Sequence, residues 1–372
     1  MFQTQSMDQW KPFMSMVSIG FAFAVVNILL KEVLNQGLNH LVFITYRLAI
    51  AAIFLAPIGY YLERNSSSKL TFRVLCYLFF SAIVGTTMTM YFFLIGIQYT
   101  SATFACAFVN MVPVMTFILA LPFRLETINL NINTGRVKAL GTIVCIIGAI
   151  MLTSYKGMPL FNHVHSHTAI PAAHHQAFSL SSSDSDKAER WTFGLVALVA
   201  GTLLWSSWYL LQSQIGKVFP CQYSSTAIMS FFGAMQSAVL CLILVRNPSI
   251  WVLKGKIEIL SVLYSGVVGS GLCFVGMAWC VRKKGPVFTA AFSPLVQIIS
   301  GLFEVPFLNT PLHLGSLLGS SIVIVGLYIL LWGKNKEARS SSLDHNPVKV
   351  GVGLDVENQE PQSRDGDHAD DR

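Results

Sequence analysis

The amino-acid sequence predicts an all-α membrane protein with ten transmembrane helices in two inverted five-helix repeats. Three observations lead to this fold class: recurrent apolar stretches, a composition 53% hydrophobic and only 12% charged, and similar landmarks in the two halves. A hydrocarbon core of about 30 Å needs about 20 apolar helical residues to cross it. Backbone groups cannot stay unpaired in lipid, so each stretch is predicted to be a helix. The predicted spans are 13–33, 41–61, 71–94, 101–122, 136–155, 192–212, 223–245, 257–280, 286–307 and 313–332.

Composition and charge exclude several classes of protein. The positive residues lie at the ends of spans and form no patch, so nucleic acid is excluded as a partner. The first apolar segment is long and has no small-residue cleavage site, which predicts a retained span instead of a signal peptide. The seven cysteines are odd in number and contain no CxxC pair, so neither a disulfide framework nor a zinc site is expected.

The distribution of Lys and Arg predicts the orientation in the membrane. With the N-terminus inside, the inner connections carry about twice as many Lys and Arg residues as the outer ones. We therefore expect both termini in the cytoplasm. We expect the plasma membrane as the location, with the vacuolar membrane as the alternative.

Landmarks repeat in the same order on either side of a polar loop. The sequence divides into residues 1–155, a His- and Ser-rich loop at 156–190, residues 191–332, and a disordered tail at 333–372. The matching landmarks are Gly141 and Gly148 against Gly319 and Gly326, and Pro113 with Pro122-Phe123 against Pro294 with Pro306-Phe307. Five spans per half invert the second copy, which is the architecture that secondary transporters use to bind substrate near the midplane.

Several short motifs resemble one family of plant proteins. The motifs are Lys11-Pro12, Tyr46-Arg47, Asn110-Met111-Val112-Pro113, Phe123-Arg124-Leu125-Glu126, Arg282-Lys283-Lys284-Gly285-Pro286, Leu314-Gly315-Ser316 and Trp332-Gly333-Lys334. Together they resemble the nodulin-21-like proteins, also called Walls-Are-Thin-related or UMAMIT transporters, of the EamA branch of the drug/metabolite transporter superfamily. The resemblance covers residues 10–336. It implies two EamA halves and facilitated movement of amino acids or related solutes, including auxin in some members.

One position departs from the family pattern. The family usually has an acidic residue after the ninth span, as the counterpart of Glu126. Thr310 stands at that position here, which puts any function carried by the acid in doubt.

Polar residues inside the spans are the candidates for substrate contacts, because they are costly in lipid and face the interior of the bundle. Ser293, Gln297, Ser300 and Glu304 share one face of the ninth span, either as a substrate-facing stripe or as interhelical hydrogen bonds. Asn110 binds a solute directly or satisfies the carbonyl that Pro113 releases. The full set is Asn27, Tyr46, Arg47, Asn110, Pro113, Trp205, Trp208, Gln212, Ser293, Gln297 and Glu304.

The roles of the other candidates also have alternatives. Arg47 attracts a carboxylate or extends to water, and we place it with Glu304 near the outer mouth. Trp205 and Trp208 form a wall for an apolar solute or belong to an interfacial belt. The spacing of Gly315 and Gly319 suits either a homodimer seam or packing within the bundle.

The function expected is transport of small organic solutes, most of all amino acids, by alternating access. Auxin or another metabolite is the alternative solute, and a non-transporting receptor or regulator is the rival class. No aspartate occurs in a predicted span, and no phosphate-binding loop or HExxH motif is present. We therefore expect a facilitator that is not an enzyme and has no cofactor. The small-molecule substrate and the lipid bilayer are its partners.

The orientation can be tested at a glycosylation sequon. Asn65-Ser66-Ser67 is predicted to face the cytoplasm, so the expressed protein should carry no N-linked glycan there. Gel mobility should be unchanged by glycosidase, and a variant with a sequon inserted near Lys156 serves as the glycosylated control. A glycan on Asn65 would reverse the topology.

Overall fold

All regular structure in the described part of the chain is helical. The computed structural model describes residues 2–65, 70–100, 105, 108–123, 133–154, 184–245, 248–253, 255–308 and most positions between 318 and 336. The helices are α1 (Phe2–Asn35), α2 (His40–Glu63), α3 (Phe72–Tyr99), α4 (Phe108–Ala120), α5 (Asn133–Ser154), α6 (Asp184–Val218), α7 (Gln222–Leu244) and α8 (Lys256–Lys284). α9 has two segments, Pro286–Ala290 and Ser293–Leu308, and the described positions between 318 and 336 form α10.

Six of these helices are long and apolar enough to cross a membrane: α1, α2, α3, α6, α7 and α8. Two shorter apolar helices are α4 and the Pro286–Leu302 part of α9. The predicted all-helical membrane class is confirmed, and the protein is a multi-pass membrane protein. The other four predicted spans fall on α4, α5, α9 and α10.

Some sequence-based expectations lie outside the described residues. They concern Glu126, Thr310, Gly315, the histidines of the polar loop and the tail beyond residue 336. Of the 156–190 loop the structure describes only the end, where α6 begins at Asp184. Acidic residues are favourable in the first turn of a helix, where they meet the positive end of its dipole.

The surface of the bundle is apolar, as contact with lipid requires. Ile53 is 74% exposed, and Phe231 and Leu242 are also exposed on the outer face of their helices. Lipid tails are as apolar as these side chains, so no penalty attaches to their exposure in a bilayer.

Two short connections, between α1 and α2 and between α8 and α9, each contain a glycine after one helix and a residue suited to start the next. Gly37 follows α1 with a φ of 93°, and Asn39 then caps α2 by accepting a hydrogen bond from the Leu41 amide at 2.9 Å. Gly285 has a φ of 92° between α8 and α9, a conformation that favours glycine. Pro286 follows at the first position of α9, where its missing N–H costs nothing.

The helices contact one another mainly across the two halves of the chain. α3 packs against α6 and α8 packs against α1, while α4 packs against α6 and α9 packs against α1. α2 lies along α7, and α4 meets α9. If α1–α5 correspond to α6–α10 in order, each contact has an equivalent: α3 with α6 corresponds to α8 with α1, and α4 with α6 corresponds to α9 with α1.

One end of α2 is fixed to the start of α7 by a carboxylate. Glu63 accepts hydrogen bonds from the backbone amides of Tyr223 and Ser224 at 2.9 and 2.8 Å, and from the Ser224 hydroxyl. Free amides at a helix N-terminus favour a negative charge, so Glu63 replaces the capping residue that α7 lacks.

The interface between the halves is closely packed at one end, and α1 makes different contacts at its two ends in the described part of the chain. At the end where α1 begins, a buried cluster joins Met16 and Ile19 to Trp208, Met277 and Phe288. There α6 contacts both α8 and α9. At the end where α1 finishes, α1 has little contact with α3 or α4 within the described part of the chain.

Two glycines bring α5 and α10 into close backbone contact. A Cβ atom on Gly326 would lie 2.6 Å from the Cys145 backbone nitrogen, and one on Gly141 would lie 2.5 Å from that of Leu330. Small residues let membrane helices approach this closely. Here they do so within one chain.

Replacement of Gly326 by alanine should destabilise the protein. The added methyl meets rigid backbone, so we expect a loss of about 1–3 kcal/mol, as overpacking usually causes. Gly301→Ala is the matched control, because a Cβ at Gly301 meets nothing within 4 Å. Thermal unfolding of the detergent-solubilised protein, followed by size-exclusion fluorescence, measures both. Equal melting temperatures for the two variants would contradict the close contact.

Candidate functional site

Two helices are interrupted at corresponding places, in α4 and in α9. The α4 helix is broken at Met111 and the α9 helix at Ala291 and Phe292, each just before a proline. The amides of Met111 and Phe292 donate to carbonyls three residues earlier, Phe108 and Thr289, at 3.0 and 3.2 Å. Irregular backbone at membrane depth is tolerated where protein surrounds it or where it lines a polar cavity. The two breaks therefore mark the centre of the candidate site.

Hydroxyl groups of α6 bond to the broken part of α4. The Ser206 hydroxyl donates to the Val112 carbonyl at 3.3 Å. The Thr202 hydroxyl donates to the Leu198 carbonyl of its own helix at 2.8 Å and also lies 3.4 Å from the Phe108 carbonyl. Both side chains are buried. They stabilise the interruption by supplying donors that lipid cannot provide.

Asn110 is a buried amide with no hydrogen-bond partner among the described residues. Its side chain is 2% exposed, and both Nδ2 and Oδ1 are unpaired. Its Nδ2 therefore does not satisfy the carbonyl that Pro113 releases, which was the structural alternative for this residue. An unpaired buried donor and acceptor are unfavourable unless another group meets them. Asn110 offers both to a bound molecule.

The third helix of each half contains a π-helical segment. These segments, Ile83–Met88 in α3 and Ser265–Cys273 in α8, occupy corresponding places in the two halves. π-Helical turns are rare and are frequent at functional sites.

A side chain from the first helix of the opposite half contacts a glycine in each π-helical segment. The Trp208 indole lies against Gly85 so closely that a Cβ there would overlap the ring. Val26 of α1 meets Gly269 in the same way, 3.0 Å from where a Cβ would stand. Trp208 is 3% exposed, and its Nε1 has no partner among the described residues.

The predicted polar stripe of α9 connects to α1 and to α6. Asn27 Nδ2 donates to the Ser300 hydroxyl at 3.0 Å, joining α1 to α9. Ser293 of α9 and Trp205 lie close to the Tyr209 side chain. Gln297 lies between these two connections on the same face of α9 and is half-buried. The structure thus groups these predicted residues around the interrupted part of α9.

Arg47 is buried within α2 and reaches across to the π-helical segment of α8. Its Nε donates to the Ser270 hydroxyl at 2.7 Å. The side chain is only 9% exposed. A guanidinium has five N–H donors, so one hydroxyl satisfies a small part of its capacity.

Other predicted residues make contacts away from this group. The Tyr46 hydroxyl donates to the Trp251 carbonyl at 2.8 Å, and the two rings meet edge to face. Gln212 Nε2 contacts Met229 Sδ at 3.1 Å and Ser81 Oγ at 3.4 Å, which joins α6 to α7 and α3. Pro113 begins the second segment of α4, and the Glu304 side chain lies outside the described residues.

The sequence analysis missed residues that support the site. Thr202, Ser206 and Ser270 were not singled out, and neither was Gly85. A signal was present: glycine, serine and threonine are concentrated at 85–89 and at 265–271, in the middle of apolar spans. No group of three or more His, Cys, Asp or Glu side chains that could hold a metal occurs among the described residues.

Both halves of the chain match the same family of membrane proteins. The EamA-like transporter family matches residues 10–154 and again 192–332. The chain is 48% identical over 343 residues to the WAT1-related protein At3g30340 of Arabidopsis thaliana, covering 92% of each. It is 45% identical to the WAT1-related protein At4g01440 of the same plant, covering 88% of this chain and 87% of that one.

A solved structure supports the fold at low sequence identity. One crystal structure of a protein is 15% identical, with a TM-score of 0.61, and the match covers 85% of this chain and 98% of that one. At that identity the likeness concerns the fold alone.

The contact between Gly85 and Trp208 should appear as an energetic coupling. Gly85→Ala should lower the melting temperature, because its methyl overlaps the indole. Trp208→Ala should also be destabilising, since it leaves a cavity. The double variant should be more stable than the sum of the two losses predicts, with a coupling of about 0.5–3 kcal/mol. Additive losses would mean that the two residues act separately.

Proposed function

We propose that this chain carries small organic solutes, and amino acids in particular, across a membrane by alternating access, because the chain belongs to the EamA-like transporter family and to its WAT1-related group. Membership of this family makes it a membrane transporter and not an enzyme. The solute, the mechanism and the location are our proposals. We place the protein in the plasma membrane with both termini in the cytoplasm.

The observation that carries the proposal is the pair of interrupted helices with an unpaired amide beside one break. Transporters built from repeats bind substrate near the midplane at discontinuous helices in corresponding positions of the two halves. The breaks before Pro113 and Pro294 fit that arrangement. Asn110 directly precedes one break and has unmet hydrogen-bonding capacity.

Ten helices in two inverted repeats agree best with the contacts between helices. The main contacts of α1 with α8 and α9 correspond to those of α6 with α3 and α4. The family matches each half separately, which supports duplication. A two-fold axis in the membrane plane, passing between α2 and α7, would relate the halves.

The difference between the two ends of the interface supports alternating access. The end at which α1 begins is packed by a cluster that includes Trp208 and Phe274. The ring centroids of these two residues lie 5.8 Å apart. At the opposite end α1 has few close contacts with α3 and α4 in the described part of the chain. With the N-terminus proposed to be cytoplasmic, we interpret this difference as an outward-facing arrangement. Transport would pack that opposite end and open the aromatic one.

The chemistry of the site fits a solute with a carboxylate and an amino group. Arg47 has donors beyond its bond to Ser270 and would attract the carboxylate. Asn110 Oδ1 would accept from the ammonium group. Trp205 and Trp208 would form the apolar wall, and Asn27, Ser293 and Gln297 would contribute polar contacts. An auxin has the carboxylate and the ring but no ammonium group for Asn110.

Transport by the protein can be measured in oocytes. Cells expressing the chain are injected with labelled glutamine, other amino acids or indole-3-acetic acid, and efflux is followed. Asn110→Ala should reduce amino-acid efflux about tenfold, because a hydrogen bond to a charged group is lost. Asn133→Ala is the matched control, because Asn133 is exposed at the start of α5.

Surface labelling must show equal amounts of each variant at the cell surface. Efflux of indole-3-acetic acid alone, unchanged by Asn110→Ala, would replace the amino acid with auxin as the solute. Equal amino-acid efflux from Asn110→Ala and Asn133→Ala would remove Asn110 from the site.

A further inference from the structure

A groove lies outside the central site, between the beginnings of α1 and α7 and the second half of α8. Its volume is about 420 Å³. Residues that line it include Lys11, Ser15, Tyr223, Leu272, Val275 and Trp279. None of these belongs to the candidate transport site.

The groove runs along α8 and opens sideways onto the apolar surface. Leu272 and Trp279 are two turns apart, which is about 10 Å at the rise of a helix. Leu272 is 47% exposed, so the end of the groove at Leu272, which is the end farther from Lys11, opens onto the apolar surface of the bundle. Space of this shape suits an extended hydrocarbon chain better than a compact solute.

Aromatic residues place the other end of the groove at the membrane interface. Trp279 and Tyr223 line it, and Trp10, next to Lys11, is 59% exposed. Tryptophan and tyrosine are enriched where the hydrocarbon meets the headgroups. A chain lying in the groove would therefore have its polar end beside Lys11.

Several basic side chains lie around that end among the described residues. Lys11 lines the groove, and Arg282 lies one turn beyond Trp279, where it donates to the Pro220 carbonyl at 2.9 Å. Lys283 follows and is exposed. The nearby carboxylate of Glu63 is already engaged by the start of α7, through Tyr223 and Ser224. This distribution of charge complements an anionic headgroup.

We propose that this groove binds an anionic phospholipid, with its headgroup at Lys11 and one acyl chain along Leu272 and Val275. The lipid would fill the space between α1, α7 and α8, three helices from opposite halves of the bundle. A soluble anion would use Lys11 but would leave the apolar length of the groove empty. The site is independent of the solute that the protein carries.

Lipid binding can be measured on the purified full-length protein by native mass spectrometry. The protein is exchanged into detergent containing equal amounts of phosphatidylglycerol and phosphatidylcholine, and the retained lipids are counted. Phosphatidylglycerol should be preferred, and Lys11→Gln should weaken its binding about fivefold. Lys217→Gln is the matched control, because Lys217 is an exposed lysine at the end of α6 that does not line the groove.

A second variant tests the apolar part of the groove without changing charge. Ser15→Leu fills the space next to Lys11 and should reduce retention of phosphatidylglycerol, while the protein stays monodisperse in size-exclusion chromatography. Soluble glycerol phosphate in excess should not displace the lipid. No preference for phosphatidylglycerol, an equal effect of Lys11→Gln and Lys217→Gln, or displacement by glycerol phosphate would overturn the proposal.

Discussion

A bilayer supplies no hydrogen bonds, so every departure from the α-helix at membrane depth needs a partner from the protein. The described part of this chain departs four times, at two proline breaks and two π-helical segments. Three of these departures are met by side chains of another helix. Thr202 and Ser206 contact the broken part of α4, and Trp208 and Val26 fill the glycine surfaces of the π-helical segments. The arrangement of the bundle follows from these requirements.

These partners come from the opposite half of the chain. Residues of α6 contact α3 and α4, and a residue of α1 contacts α8. The irregular segments of α3, α4 and α8 therefore pack against side chains of the other half. The halves agree in geometry and differ in chemistry. The side chain that contacts the π-helical glycine is the indole of Trp208 in one half and the isopropyl group of Val26 in the other. The single buried guanidinium among the described spans, that of Arg47, also breaks the symmetry. A symmetric scaffold of this kind can hold an asymmetric solute.

Much of the fold follows from hydropathy and from the proline positions. Apolar length locates the spans, and Pro113 and Pro294 indicate where helices are interrupted. In the polar stripe of α9, Ser300 accepts a hydrogen bond from Asn27, which is the interhelical alternative for that residue. The π-helical segments do not follow from local sequence, because they depend on which side chain fills the bulge. The contacts of Arg47 with Ser270 and of Gln212 with Ser81 are likewise set by packing between helices more than a hundred residues apart.

The π-helical segments also determine how far the rules of helical periodicity extend. A π turn contains more residues than an α turn, so side chains beyond it are displaced around the axis relative to an uninterrupted helix. One residue corresponds to about 100° of rotation. A helical wheel drawn through Phe72–Tyr99 as one ideal helix would therefore assign the wrong faces to lipid and to protein after Met88. The same holds after Cys273 in α8, so substitutions tolerated on one side of each bulge are no guide to those tolerated on the other.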